Sequence, residues 1–165
     1  MPLSVRPALP QDKQFLYEVS YGVMAEKLHA HLWAPSIRHN LLDMQVRAQE
    51  GSYGVMHPNA DYAIIMLDDE RVGRLIIDRS GASYYLVDIS VMEKRRGAGI
   101  GTRVVLALCM EAQMMGKNVQ LHVSVTNPRA AELYKRLGFR PIEQTETDTL
   151  MERTPADQSQ VVAAP

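Results

Sequence analysis

The spacing of apolar residues changes several times along this chain, and each change marks an element. Leu3 and Val5 alternate with polar neighbours ahead of Pro7 and Pro10, which predicts a short first strand over Leu3–Arg6. Behind Asp12, a good N-cap residue, Phe15, Leu16, Val19, Val23 and Leu28 recur at helical spacing to about His29. Pro35 suits the first turn of a second helix, with Ile37, Leu41, Leu42, Met44 and Val46 expected to face inward and Gly51 to stop it. The partly β-branched runs Tyr62–Leu67 and Val72–Ile77 flank a polar turn at Asp68-Asp69-Glu70 and read as a hairpin. After Ser80-Gly81-Ala82-Ser83, Tyr84–Met92 adds a third strand. The period then lengthens: Thr102–Met115 is a helix ended by Gly116, Val119–Val125 a strand, and Arg129–Leu137 a helix. Phe139–Ile142 and Thr149–Glu152 close as short strands. The order β-α-α-β-β-β-α-β-α-β-β predicts an α+β fold, a mixed α/β sheet with helices on both faces. Residues 1–153 are expected to form the domain, and 154–165, which lack periodicity, a disordered tail.

Composition narrows the class without changing this outline. Of 165 residues 46% are hydrophobic and 22% charged, an ordinary globular mixture, and a formal charge of −1 gives no basic excess for nucleic acid or an anionic membrane. Cys109 is the single cysteine, so an internal disulfide and a CxxC metal or redox pair are both excluded. It falls on an apolar helix face and reads as core. The first residues lack a basic segment followed by an apolar one, and a cytoplasmic location is expected.

Candidate chemistry begins at Arg95-Arg96-Gly97-Ala98-Gly99-Ile100-Gly101-Thr102. A glycine-rich turn between a strand and a helix exposes backbone N–H groups that converge at a helix N-terminus, where an anion is favoured. A Walker loop would end in Gly-Lys-Ser/Thr, whereas Gly101 is followed by Thr102-Arg103. A dinucleotide fingerprint would space its third glycine one place later and carry an acidic residue where Val119–Leu121 stand. Both are disfavoured, as is a nucleotide-binding switch. A flexible strand-to-helix turn with no ligand is the plain alternative.

Arg96-x-x-Gly99-x-Gly101, followed after one helix and one strand by Asn127-Pro-Arg-Ala-Ala-Glu-Leu-Tyr134-Lys-Arg-Leu-Gly138-Phe139, resembles the two signature motifs of the GNAT acetyltransferase superfamily. The resemblance implies a mostly antiparallel, splayed sheet and acetyl-CoA as co-substrate, with no metal. It places the pantetheine arm along Ile89, Ser90 and Val91, and the diphosphate on Arg96 and the amides of Gly97, Ala98, Gly99, Ile100, Gly101 and Thr102. Asn127 is implied in a bond near the pantetheine. The backbone N–H of Ile89 would bond the acetyl carbonyl, and Tyr134 would protonate the departing sulfur. A packed aromatic on an amphipathic helix is the alternative for Tyr134.

An amine of pKa ~10.4 must lose a proton to attack. His122 occupies the position at which related alanine acetyltransferases carry a catalytic Glu, and imidazole is chemically suitable; a structural histidine is the alternative. Asp88 is a second candidate, but strand alternation sets it on the face opposite Tyr85, Val87 and Ile89, which favours anchoring the strand. A water relay is the third.

Element order suggests an acceptor site drawn from Trp33, Tyr53 and Arg74, with His29 and His31 nearby. Trp33 is more often a packed anchor, and Arg74 could pair with Asp78, Asp88 or an acceptor carboxylate. His29 and His31 have no third ligand nearby, so a metal site is not expected. The expected acceptor is a small amine or amino-acid-like metabolite, with a peptide N-terminus second. The expected assembly is a monomer or homodimer. The rival reading is a non-enzymatic acyl-CoA sensor.

Overall fold

The computed structural model describes residues 2–155. Its elements are β1 (Leu3–Pro7), α1 (Lys13–Lys27), α2 (Pro35–Met56), β2 (Asp61–Leu67), β3 (Glu70–Asp78), β4 (Tyr84–Val91), α3 (Ile100–Met114), β5 (Val119–Ser124), α4 (Pro128–Arg136), β6 (Arg140–Gln144) and β7 (Asp148–Arg153). This is the expected order. The strands lie in one sheet, β1-β2-β3-β4-β5-β7-β6, in which β4 and β5 pair in parallel and β1–β2, β5–β7 and β6–β7 antiparallel. Of the tail expected over 154–165, residues 156–165 lie outside the described residues.

By contacts the chain divides into two compact units, Met1–Ile76 with Asp88–Gly101 and Ile77–Val87 with Thr102–Pro165. In the first, α1 and α2 each give one face to the core. Met24 and Ala30 join Leu42 and Val46 in one cluster, and Phe15 and Val19 meet Ile64 of β2 in another. Asp12, ahead of α1, accepts from the Leu9 backbone N–H at 2.8 Å and from Arg6 and Arg71 at 2.7 and 3.2 Å. Bonding by Arg6, then by the Leu9 amide, holds its carboxyl well below the usual carboxylate range against the opposing effect of burial.

In the second unit, Val104, Val105, Leu108, Cys109 and Ala112 of α3 are buried, as are Val119, Leu121 and Val123 of β5 and Met151 of β7. The 3–4 spacing on α3 and the strict alternation on β5 are the two periods read from the sequence. Gly116 stops α3 with φ of 68°, the left-handed position that glycine adopts without strain.

Helix α2 departs from expectation twice. It runs through Gly51 and Gly54 to Met56. Glycine within a helix costs about 1 kcal/mol, and here the half-buried Glu50 ties this last stretch to Arg74 and Ser20 in a polar network described below. Its inward face is also narrower than expected: Leu42 and Val46 are 1% exposed, whereas Ile37, Leu41 and Met44 are 49, 38 and 65% exposed.

Candidate active site

The turn after β4 has the predicted backbone. Gly97 and Gly99 adopt φ of 80° and 74°, values that residues with a Cβ rarely take, and α3 begins at Ile100. A Cβ built on Gly97, Gly99 or Gly101 would meet nothing within 4 Å, so the space beside each of these glycines is open. Arg96 does not point freely into that space. Its guanidinium donates to both carboxylate oxygens of Glu26 at 2.7 Å, and its Nε to the carbonyl of Val91 at 2.9 Å.

The ladder between β4 and β5 has three rungs, Tyr84↔Val119, Tyr85↔Gln120 and Leu86↔Leu121, although β4 runs on to Val91. Ile89, Ser90 and Val91 follow the last rung. On the β3 side, a Cβ on Gly73 would collide with the carbonyl oxygen of Ser90, so β3 and β4 approach here more closely than a side chain permits.

Arg74 is a buried charge of the first unit, with its side chain 2% exposed. Its Nε and one terminal nitrogen donate to Asp88 Oδ2 at 3.1 and 2.9 Å, and the other terminal nitrogen donates to Glu50 Oε1 at 2.8 Å and to the Ser20 hydroxyl. Ser90 adds a third bond to Asp88 Oδ2 at 2.9 Å, and Ser20 donates to Glu50 Oε1 at 3.1 Å. Burial works against the guanidinium charge, but Asp88 and Glu50 outweigh it and its pKa rises above the ordinary value. Of the partners considered for Arg74, the structure thus selects Asp88, and its enclosure removes it from reach of an acceptor's carboxylate. Tyr53 borders the same network: burial, then the Asp88 charge, pushes its phenol up to about 12. Tyr62 is raised as well, by burial and then by Glu50.

Glu50, Ser20 and Glu26 were not singled out from the sequence. A signal for Glu50 exists, since Leu42, Val46 and Glu50 follow at four-residue intervals and put a carboxylate on the buried stripe of α2. Trp33 packs against Met24, Ala30, Leu42 and Val46, as a core anchor does.

In the second unit, the Tyr85 hydroxyl lies 2.5 Å from His122 Nδ1. Burial, followed by the charge of Asp148, raises the Tyr85 phenol. Asn127 caps α4, its side-chain oxygen accepting from the Ala130 N–H at 3.2 Å, and Pro128 fills the first helical position. Tyr134, half-buried, meets Phe139 edge-on with ring centroids 5.6 Å apart. The two signature motifs therefore build a strand–glycine turn–helix and an Asn-capped helix closed by an aromatic pair. Among the described residues no group of three or more His, Cys, Asp or Glu could hold a metal ion, and no helix is long and apolar enough to cross a membrane.

Such a sheet, with this turn between a strand and a helix, defines an acetyltransferase-type α/β fold. Residues 25–139 match the profile of the acetyltransferase (GNAT) family, and the chain belongs to that family. Over 68 residues it is 37% identical to a thialysine N-epsilon-acetyltransferase of Mus musculus, and over 61 residues 38% identical to an N-alpha-acetyltransferase of Sulfurisphaera tokodaii. These stretches cover 41 and 36% of this chain, and the chain spans about two fifths of the length of the curated relatives it matches, 40 and 36%. The crystal structure of PaiA N-acetyltransferase from Thermoplasma acidophilum in complex with coenzyme A shares the fold. Its TM-score is 0.68 at 16% identity, over 93% of this chain and 99% of that one.

Proposed function

We propose that the protein transfers the acetyl group of acetyl-CoA to a primary amine by direct attack. The observation that carries this reading is the open turn at Gly97–Gly101, where two positive-φ glycines precede the N-terminus of α3 in a member of the GNAT family. Acetyl-CoA supplies an acyl group activated as a thioester. The amides of the turn and the helix dipole favour its diphosphate. Arg96 contributes its charge on exchanging Glu26 for phosphate.

Ile89, Ser90 and Val91 offer strand backbone to an extended pantetheine arm. The N–H of Ile89 donates to the carbonyl oxygen as negative charge grows on it during attack, a contribution of about 3 kcal/mol for one such donor. Tyr134 donates its phenolic proton to the departing sulfur, and Asn127 combines its capping role with a bond to the pantetheine region. His122 receives the amine's proton at Nε2, provided that Nδ1–H donates to the Tyr85 oxygen and so fixes the tautomer. The acceptor class is a small amine first and a peptide N-terminus second.

Calorimetry with CoA and acetyl-CoA, followed by thiol release across an amine panel, tests the reading. Heat on CoA addition and acceptor-dependent thiol release are expected, with release reduced about 100-fold in Tyr134→Phe. Binding without acceptor-dependent release from any amine would identify an acyl-CoA sensor; absence of binding would remove the reading altogether.

A further inference from the structure

We propose that the cleft between the start of α1 and the middle of α2 is a binding site for a small organic oxyanion, a phosphate ester or carboxylate of metabolite size. The cleft shares no residue with the glycine turn or the Arg74 network, and the proposal stands whether or not the chain transfers acetyl groups.

The cleft has a volume of 680 Å³. Metabolite sites run from about 300 to 1,000 Å³, and an inorganic ion alone would leave most of this space unfilled. Helical spacing explains which side chains line it. His39, Asp43 and Arg47 recur every four residues and so share one face of α2, while Lys13, Gln14 and Tyr17 come from the first turns of α1. Pro10 and Gln11, just ahead of α1, complete the lining.

The lining carboxylate is already engaged. Asp43 Oδ1 accepts from the Tyr17 hydroxyl at 2.5 Å, and Oδ2 accepts from Arg47 Nε at 2.8 Å. Bonding by Arg47, then by Tyr17, holds the Asp43 carboxyl below its usual range, so it stays ionised and committed to these two partners. Lys13 and Arg47 against Asp43 leave the cleft a net positive charge. Lys13 has no hydrogen-bond or ion-pair partner among the described residues.

The donors are also arranged for an oxyanion. Asp43 holds Arg47 through Nε, which leaves the two terminal nitrogens as a parallel pair of donors, the edge that grips a carboxylate or phosphate through two oxygens. His39 meets the Tyr21 hydroxyl through Nδ1 at 3.2 Å and keeps Nε2 for a ligand. The Tyr17 ring gives the organic body of the ligand a flat apolar surface. An anion held between Lys13 of α1 and Arg47 of α2 supplies the counter-charge that Asp43 alone does not.

NMR titration of the full chain with phenyl phosphate, benzoate and uncharged benzyl alcohol tests the site, with Lys13→Gln and Arg47→Gln as variants. Both side chains are exposed, Arg47 by 73%, so neither substitution removes packing from the core. At least one of the two anions is expected to shift the Tyr17 ring and the Gln11 and Gln14 side-chain amides, binding about tenfold or more tightly than benzyl alcohol. Each substitution is expected to weaken that binding by about tenfold, because each removes a charge-assisted bond. A response to phenyl phosphate alone would identify the ligand class as a phosphate ester, and to benzoate alone as a carboxylate; either supports the site. No shift with either anion up to about 10 mM, equal affinity for benzyl alcohol, or anion affinity unmoved in both variants would overturn the proposal and leave Lys13 and Arg47 as a solvated helix face.

Discussion

Replacing Gly73 by Ala tests whether the close approach of β3 to β4 is a requirement of the site. The backbone at Gly73 is ordinary strand, so strain in φ is not at issue; the added methyl is. It would collide with the Ser90 carbonyl oxygen and lie 3.3 Å from Val91 Cα and 3.2 Å from Ile65 Cδ1. The Ile65 methyl can turn aside, whereas the Ser90 carbonyl and Val91 Cα are backbone and move only with β4. Overpacking of this kind costs about 1–3 kcal/mol. For a chain of this length each kcal/mol lowers Tm by about 2–4 °C, so a fall of roughly 2–12 °C is expected by calorimetry or circular dichroism. The same displacement moves the strand offered to pantetheine, and acceptor-dependent thiol release should fall about tenfold or more. A variant melting within about 1 °C of the parent with unchanged turnover would show that β4 absorbs the methyl freely, and the argument from close approach would fail.

Other substitutions probe separate claims. Gly99→Ala, at φ of 74°, should cost about 1–2 kcal/mol from backbone strain and weaken CoA binding by calorimetry. Asp12 has a folded-state pKa depressed below its unfolded value, so its contribution is present above the ordinary carboxylate pKa and is lost as pH falls through that value towards the lower one. Acid melting curves should therefore steepen below about pH 4, and Asp12→Asn should be less stable at neutral pH with a flatter acid limb. Burial pushes the Cys109 thiol up to about 11, so a thiol reagent at pH 8 should label the protein only after denaturant is added. Glu26→Gln releases Arg96 from its carboxylate partner and should tighten CoA binding, chiefly at low salt; unchanged affinity would show that Arg96 contributes nothing to the diphosphate.

The fold was legible because its information is local. Alternation on Val119–Val123 and helical spacing on Val104–Ala112 each report one buried face, and Gly116 announces a stop by the conformation it must take. The glycine turn was legible for the same reason. Gly51 misled because a glycine's cost is small beside what Glu50 gains from Arg74, distant in sequence. The Arg74 network spans Ser20 to Asp88, and nothing in the immediate neighbours of any member names the others. Its clue was an anomaly, a carboxylate on an apolar stripe, which becomes informative only when a buried cation is sought to match it. Trp33 packs against Met24, Ala30, Leu42 and Val46, contacts that no local pattern around it names.

The clasp around Arg74 also constrains how this protein can diverge. Its members come from two helices and two strands, and replacing Arg74 alone leaves two neighbouring carboxylates without their shared counter-ion, typically at about 3–5 kcal/mol. Descendants of this sequence are therefore expected to keep the set or exchange it together. Drift towards new acceptors would then begin among the surrounding uncharged side chains.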